Sequence, residues 1–276
     1  MNPIAQMGLL SLIAEAFEHA EDATSHIVKK YVQNATETEI TLVFQIELAK
    51  ILERMSQENR VAAAFSADVM AAFQGEYINE LEGFGHGLVA QVIWHSQKAE
   101  SKTGADFGVV LARPVASVSE DYVAIDFATR GILAQAKKKA FGKKRWGSLT
   151  KKQKSSPVFS KLAAYGSLIG YRFQNAGVLG RFEWQSAEKQ QLETVQDWLK
   201  KDNCPSPSTS REMLSLLWGD SIGTSDPTAI ETDIALASER MLIIRIDWPG
   251  GSRPYGHVQV QREASRQKMM ACQLEL

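Results

Sequence analysis

Two short runs of the chain hold the residue types that phosphodiester chemistry uses. Asp106 follows the turn-like SKTGA at 101–105 and leads into an apolar run, FGVVLA. At 131–139 a second run, GILAQAKKK, contains the triplet Gln135-Ala136-Lys137. Strand alternation puts Gln135 and Lys137 on one face. Cleaving a phosphodiester requires a water made nucleophilic and a developing negative charge neutralised. A magnesium ion held by a few oxygens does both while keeping several waters. The Asp106 carboxylate, the Gln135 amide oxygen and the Ala136 carbonyl are hard oxygen donors, and Lys137 can hold the attacking water or stabilise charge on the phosphate. Gly104 lets the backbone turn sharply just ahead of Asp106.

An acid ahead of one apolar strand, and a polar-X-Lys triplet ending another, resembles the metal site of the PD-(D/E)XK nuclease superfamily. The form here has Gln135 where the second acid usually stands, and it covers roughly 40 residues. The resemblance implies catalytic roles for Asp106, Gln135, Lys137 and Glu100, with Asp106, Gln135 and Glu100 as ligands of Mg2+ (or Mn2+). In the superfamily a further acid usually comes from a preceding helix or strand. Glu100 is the expected one, because a tight hairpin brings it near Asp106, with Glu82, Glu80 and Glu47 as alternatives. The sequence departs from the commonest pattern at Gln135 and in having no proline before Asp106.

Directly after the triplet the chain turns basic. Residues 137–154 contain nine Lys or Arg and no acid, with Phe141 and Trp146 interleaved. A charge run of this kind is either a solvated loop or a hold on a nucleic-acid backbone. Its attachment to Lys137 would put it beside the reacting phosphate. Lys138, Lys139, Lys143, Lys144 and Arg145 are therefore the expected phosphate contacts, and Trp146 the ring expected to stack or wedge.

Other chemistries find no support. The five histidines show no metal-ligand spacing, and the two cysteines, Cys204 and Cys272, form no CxxC and suggest a reducing compartment. The glycines of EGFGHG match neither a P-loop nor a dinucleotide fingerprint, and no G-x-S-x-G occurs. Lys and Arg number 31 against 32 Asp and Glu, a net charge of −1, so attraction to a polyanion must be local. No apolar run reaches the ~18 residues of a membrane span. The start of the chain reads as an amphipathic helix and not as a signal peptide. The expectation is a soluble, cytoplasmic protein.

The elements that must position these residues follow from periodicity. Apolar spacing predicts helices over 4–33, from Thr36 or Thr38 to about 57, and over 61–73. Glu37 and Glu39 fall in the first turn of the second, where the helix dipole favours anions. Strands are expected at 88–94, where the apolar run alone does not exclude a helix, from 107 to Pro114, within 115–130, and at 131–137. Beyond the basic run, the spacing predicts a helix over 157–170, short strands at 170–174 and 180–185, and a helix over 188–201. A helix capped by Ser210 and a strand over 241–248 close the pattern. The tryptophans Trp94, Trp184, Trp198, Trp218 and Trp248 fall in apolar segments and read as core.

The expected fold is therefore α/β: a restriction-endonuclease-like mixed sheet flanked by helices over 76–276, preceded by a helical region over 1–75. The layout also resembles small nucleases of bacterial genome defence that work beside a partner sensing the invader. That resemblance implies an antiviral endonuclease acting on DNA, with RNA the alternative polymer, together with a protein partner and a homo-oligomer. Two other classes fit the residues: a non-catalytic nucleic-acid-binding or scaffold subunit, and an interaction protein whose N-terminal helices assemble a complex.

Overall fold

The computed structural model describes residues 7–31, 34–72, 89–93, 105–118, 122–175, 177–235, 241–247 and 258–261. Three helices come first: α1 (Met7–Tyr31), α2 (Glu37–Gln57) and α3 (Arg60–Ala72). Thr36 caps α2 through a reciprocal box. Its hydroxyl accepts from Glu39 N, and its own N–H donates to the Glu39 carboxylate at 2.6 Å. Two donors at the helix start are thereby satisfied, which fixes where α2 begins.

The strands are β1 (Val89–Ile93), β2 (Phe107–Val118), β3 (Tyr122–Lys139), β4 (Gly166–Asn175), β5 (Val178–Leu179), β6 (Glu183–Ser186), β7 (Met241–Asp247) and β8 (Val258–Gln261). They form one mixed sheet of order β1-β7-β2-β3-β4-β5, with β6 joined to β4 and β8 to β3. β2 and β3 are an antiparallel hairpin running from Phe107↔Ala134 to Val118↔Val123. Helix α4 (Ser156–Tyr165) then returns the chain so that β4 lies parallel to β3 from Leu133↔Gly166 to Lys139↔Arg172. Helices α5 (Leu192–Lys201) and α6 (Ser210–Trp218) follow. A short turn, Pro227–Ala229, runs on into a π-helical segment, Ile230–Ala235.

Several expectations change. β3 is one continuous strand where two were expected, and β2 passes through Pro114, paired with Phe127. The described pairing of β2 with β7 stops at Ala112. Among the described pairings Pro114 has a neighbour strand on one side, a position where proline is tolerated in a sheet. The helix expected to reach residue 170 ends at Tyr165, and Leu168 and Ile169 belong to β4. Thr209, not Ser210, caps α6.

The expected boundary near residue 75 does not divide the core. A single cluster joins Phe17 of α1 and Phe44 of α2 to Phe107, Ile132, Tyr171 and Phe182 of the sheet layer. The rings touch in sequence: Phe17 to Phe44 at 5.5 Å between centroids, Phe44 to Phe182 at 5.1 Å, and Phe182 to Tyr171 at 4.7 Å. Each fully buried ring of this kind contributes about 1.5–3 kcal/mol. A second cluster, built on Trp146, Leu149, Leu162, Leu168, Val195 and Trp198, packs α4 and α5 on the opposite face of β3 and β4.

Candidate functional site

The site lies where β3 outruns its hairpin partner. The β2–β3 pairing begins at Phe107↔Ala134, so Ala136 and Lys138 extend past the start of β2. β4 occupies the other edge of this stretch. Alternate residues of a strand point their N–H groups to the same edge. Ala136 and Lys138 thus share the edge that β2 has left, and side chains complete it.

Asp106 Oδ2 accepts Ala136 N at 2.6 Å and also the Gln135 amide. Glu37 Oε1 accepts Lys138 N at 2.9 Å. Two carboxylates therefore stand on N–H groups roughly 7 Å apart along one strand. Between these anchors, Lys137 is 4 % exposed with its Nζ 3.6 Å from Glu37 Oε2. The hydroxyl of Tyr171 responds to both acids. Burial first, then the negative charges of Asp106, Glu37 and Glu21, push its pKa far above the ordinary phenol value, although its bond to Thr41 works the other way.

Gln135 is held in one orientation by a chain of bonds. The Thr150 N–H donates to Gln153 Oε1 at 2.9 Å, which turns the Gln153 NH2 toward Gln135 Oε1 at 2.8 Å. The Gln135 Nε2 then donates to Asp106 and to the Ala136 carbonyl. The amide nitrogen, not the expected oxygen, is turned toward the acid.

Asp106 and Gln135 are thus in contact, and Lys137 lies two residues further along β3 on the face of Gln135. Glu100, Glu80 and Glu82 lie outside the described residues. Glu47 is ion-paired to Lys50 and sits ten residues along α2 from Glu37, about 15 Å away. The acid that the structure delivers to the strand is Glu37, which the sequence marked only as a first-turn acid. A usable signal was present, since it opens the helix preceding the sheet. Nothing local separates it from Glu39, which the cap uses.

The basic stretch divides in two. Lys138 reaches back to the Ala35 carbonyl at 2.6 Å and lies over the Phe173 ring. Lys139 is buried and paired with Asp202, which also receives Arg172 and the Trp146 indole N–H at 2.8 Å. Asp202 sits in the left-handed region at the end of α5 (φ 55°). Its burial alone would raise its pKa, but the bonds from Arg172 and Lys139 hold it below the usual carboxylate value. Trp146 packs in the second core, with its ring against Gly170, where an added Cβ would come within 2.7 Å. This corrects the expected stacking role: the ring is an internal wedge between β4 and α5. Lys143, Lys144 and Arg145 are exposed, and no described acid pairs with them.

The same segment covers the acidic cluster. Gly147 N donates to Lys138 O at 3.0 Å, and an added Cβ on Gly147 would meet Glu37 Oε1 at 2.8 Å. A Cβ there would push the Glu37 carboxylate away from its place on Lys138 N.

The donor set suits a hard divalent cation in part. Asp106 and Glu37 offer carboxylate oxygens of the kind magnesium takes one or two of while keeping its waters. Gln135, as oriented, offers nitrogen-bound hydrogens instead. Among the described residues no group of three or more His, Cys, Asp or Glu converges to hold a metal. Nor is any described helix long and apolar enough to cross a membrane. No protein-family model, curated protein or solved structure matches the chain.

Proposed function

We propose that this chain is a magnesium- or manganese-dependent nuclease on a PD-(D/E)XK, restriction-endonuclease-like core, with DNA as its first expected substrate. The observation that carries the reading is the meeting of Asp106, Glu37 and Lys137 on three successive positions of one strand end. The order of elements supports it too: an acid from an upstream helix, a hairpin bearing Asp106 and Gln-Ala-Lys, then a parallel β3–α4–β4 crossover. Glu37 takes the part expected of Glu100.

Asp106 and Glu37 would hold the ion, which when bound supplies an activated water and a counter-charge for the phosphate. Lys137 is kept in place by burial and by the Glu37 carboxylate. Its ammonium faces developing charge from a water-poor wall, where a fixed charge is worth more than in solvent. Gln135 braces Asp106 through a hydrogen bond, and Gln153 braces Gln135. A protein partner and self-association belong to the same reading through the defence-nuclease resemblance.

One observation favours a second reading, a non-catalytic nucleic-acid-binding subunit. The locked Gln135 amide satisfies Asp106 with a hydrogen bond where a metal would otherwise sit. Plasmid and oligonucleotide cleavage with magnesium separates the two. Asp106→Ala, Glu37→Gln and Lys137→Ala should each lose at least about 100-fold in rate. Wild-type protein that never cuts would establish the second reading, and cutting that survives all three changes would refute the site.

A further inference from the structure

We infer that the nucleic acid is taken unpaired, with Phe141 stacking on a base beside the Glu37–Asp106–Lys137 cluster. This rests on the nuclease reading above and names its substrate class. Phe141 is 59 % exposed, whereas Phe17, Phe44, Phe65, Phe107, Phe159 and Phe182 are 7 % exposed or less. A single exposed apolar side chain is ordinary. This one differs in its place and in its neighbours.

Phe141 stands at the apex of a turn closed by Lys143 N to Ala140 O at 3.1 Å, with Gly142 at φ +74°. The turn begins at Ala140, directly after β3, and Phe141 lies four residues beyond Lys137. Its far stem is tied down by Gly147 N to Lys138 O, by Trp146 N to Leu199 O at 2.9 Å and by the indole bond to Asp202. The ring is thus presented from a fixed base, which lowers the ordering cost of binding. Three exposed cations, Lys143, Lys144 and Arg145, follow it directly in the chain and lack described acidic partners.

A cleft of about 380 Å³ continues this cationic surface between the loop and α5. Arg145, Lys154 and Lys200 line it over a floor of Trp146, Leu149 and Leu199. Aromatic ring and flanking cations together match a single strand, in which each base offers a free π-face and each phosphate a charge. In a duplex the base faces are already stacked on one another, so the ring would have to unstack them first.

Fluorescence anisotropy with short labelled DNA and RNA, single-stranded and duplex, in chelator tests this without cleavage. Wild type should bind the single strand more tightly, and whichever polymer binds better identifies its source. Phe141→Ala should weaken that binding about tenfold or more, the loss expected for one stacked base. Phe141→Trp should retain it, and both variants should melt with wild type because the side chain is exposed. Lys154→Ala with Lys200→Ala should weaken binding further and flatten its salt dependence. A preference for duplex, or equal single-strand binding by wild type and Phe141→Ala, overturns the inference. Phe141-dependent binding without magnesium-dependent cutting instead overturns the nuclease reading alone. Cutting without Phe141 dependence overturns this inference alone.

Discussion

β3 carries two buried lysines, Lys137 and Lys139, on the same face and two residues apart, and their surroundings differ in kind. Lys139 belongs to a closed knot in which Asp202 receives Lys139, Arg172 and the Trp146 indole, and Arg172 is also held by Glu183 at 2.5 Å. Every charge there meets its opposite, and the product is mechanical: α5 and the basic loop are bolted to the sheet. Lys137 has a looser partner in Glu37, at 3.6 Å, and an edge of β3 completed by carboxylates instead of a strand. The contrast teaches that burial of a charged group does not mark a site. What matters is whether its neighbours already use all of its chemistry.

The comparison can be broken most sharply by cutting the knot. Asp202→Ala leaves Lys139 and Arg172 without their shared acid and should cost about 3 kcal/mol, since removing one partner strands the other charges. Urea unfolding measures this. Lys137→Ala should cost far less stability while losing activity. Equal destabilisation by the two would erase the distinction between bolt and site.

A second closed network sharpens the same point through pH. Glu21 of α1 is buried under Ser210, with Phe182 N at 3.2 Å and Ser210 also bonded to the Trp184 indole at 2.8 Å. Burial, outweighing these hydrogen bonds and the Arg181 charge, pushes its pKa up to about 7 from 4.5. An acid whose folded value is raised contributes most below the unfolded value and loses that contribution as pH climbs through the folded one. Stability should therefore fall by up to about 3 kcal/mol between pH ~4.5 and just above ~7. Glu21→Gln should remove that slope. A slope unchanged in the variant would assign it elsewhere.

The smallest effect concerns a polar group with no closure at all. Gln45 of α2 is fully buried, and neither amide atom has a hydrogen-bond partner among the described residues. Gln45→Leu should raise stability by about 1–2 kcal/mol, because an unsatisfied buried amide is replaced by an apolar side chain of similar size. Calorimetric melting reads the change, and a lower melting temperature would point to a partner that the amide does have.

Much of the framework was legible along the chain. The first three helices and β7 announce themselves by period and end signals, and a cap for α2 was on offer at Thr36 or Thr38, of which the structure uses Thr36. The approach of Asp106 to the Gln-Ala-Lys triplet was implied only by the resemblance, since the hairpin read from the sequence joined Glu100 to Asp106 and a separate strand was expected within 115–130. β4 was partly hidden, since Leu168 and Ile169 sit in an apolar run whose period alone does not separate strand from helix. Trp146 and Lys139 were misread because a basic run looks solvated until an acid from 56 or 63 residues away arrives to bind it.

The sequence by itself determined the parts of the site, an acid ahead of one apolar strand and Gln135 and Lys137 on one face of another, because strand alternation is a short-range property. Only the tertiary structure decided which second acid joins them and which aromatic faces outward. Glu37 reaches β3 from 101 residues away because α2 packs on the sheet with its first turn at the vacated strand edge. Phe141, and not Trp146, is left outside because Asp202 and Gly170 draw the indole into the core.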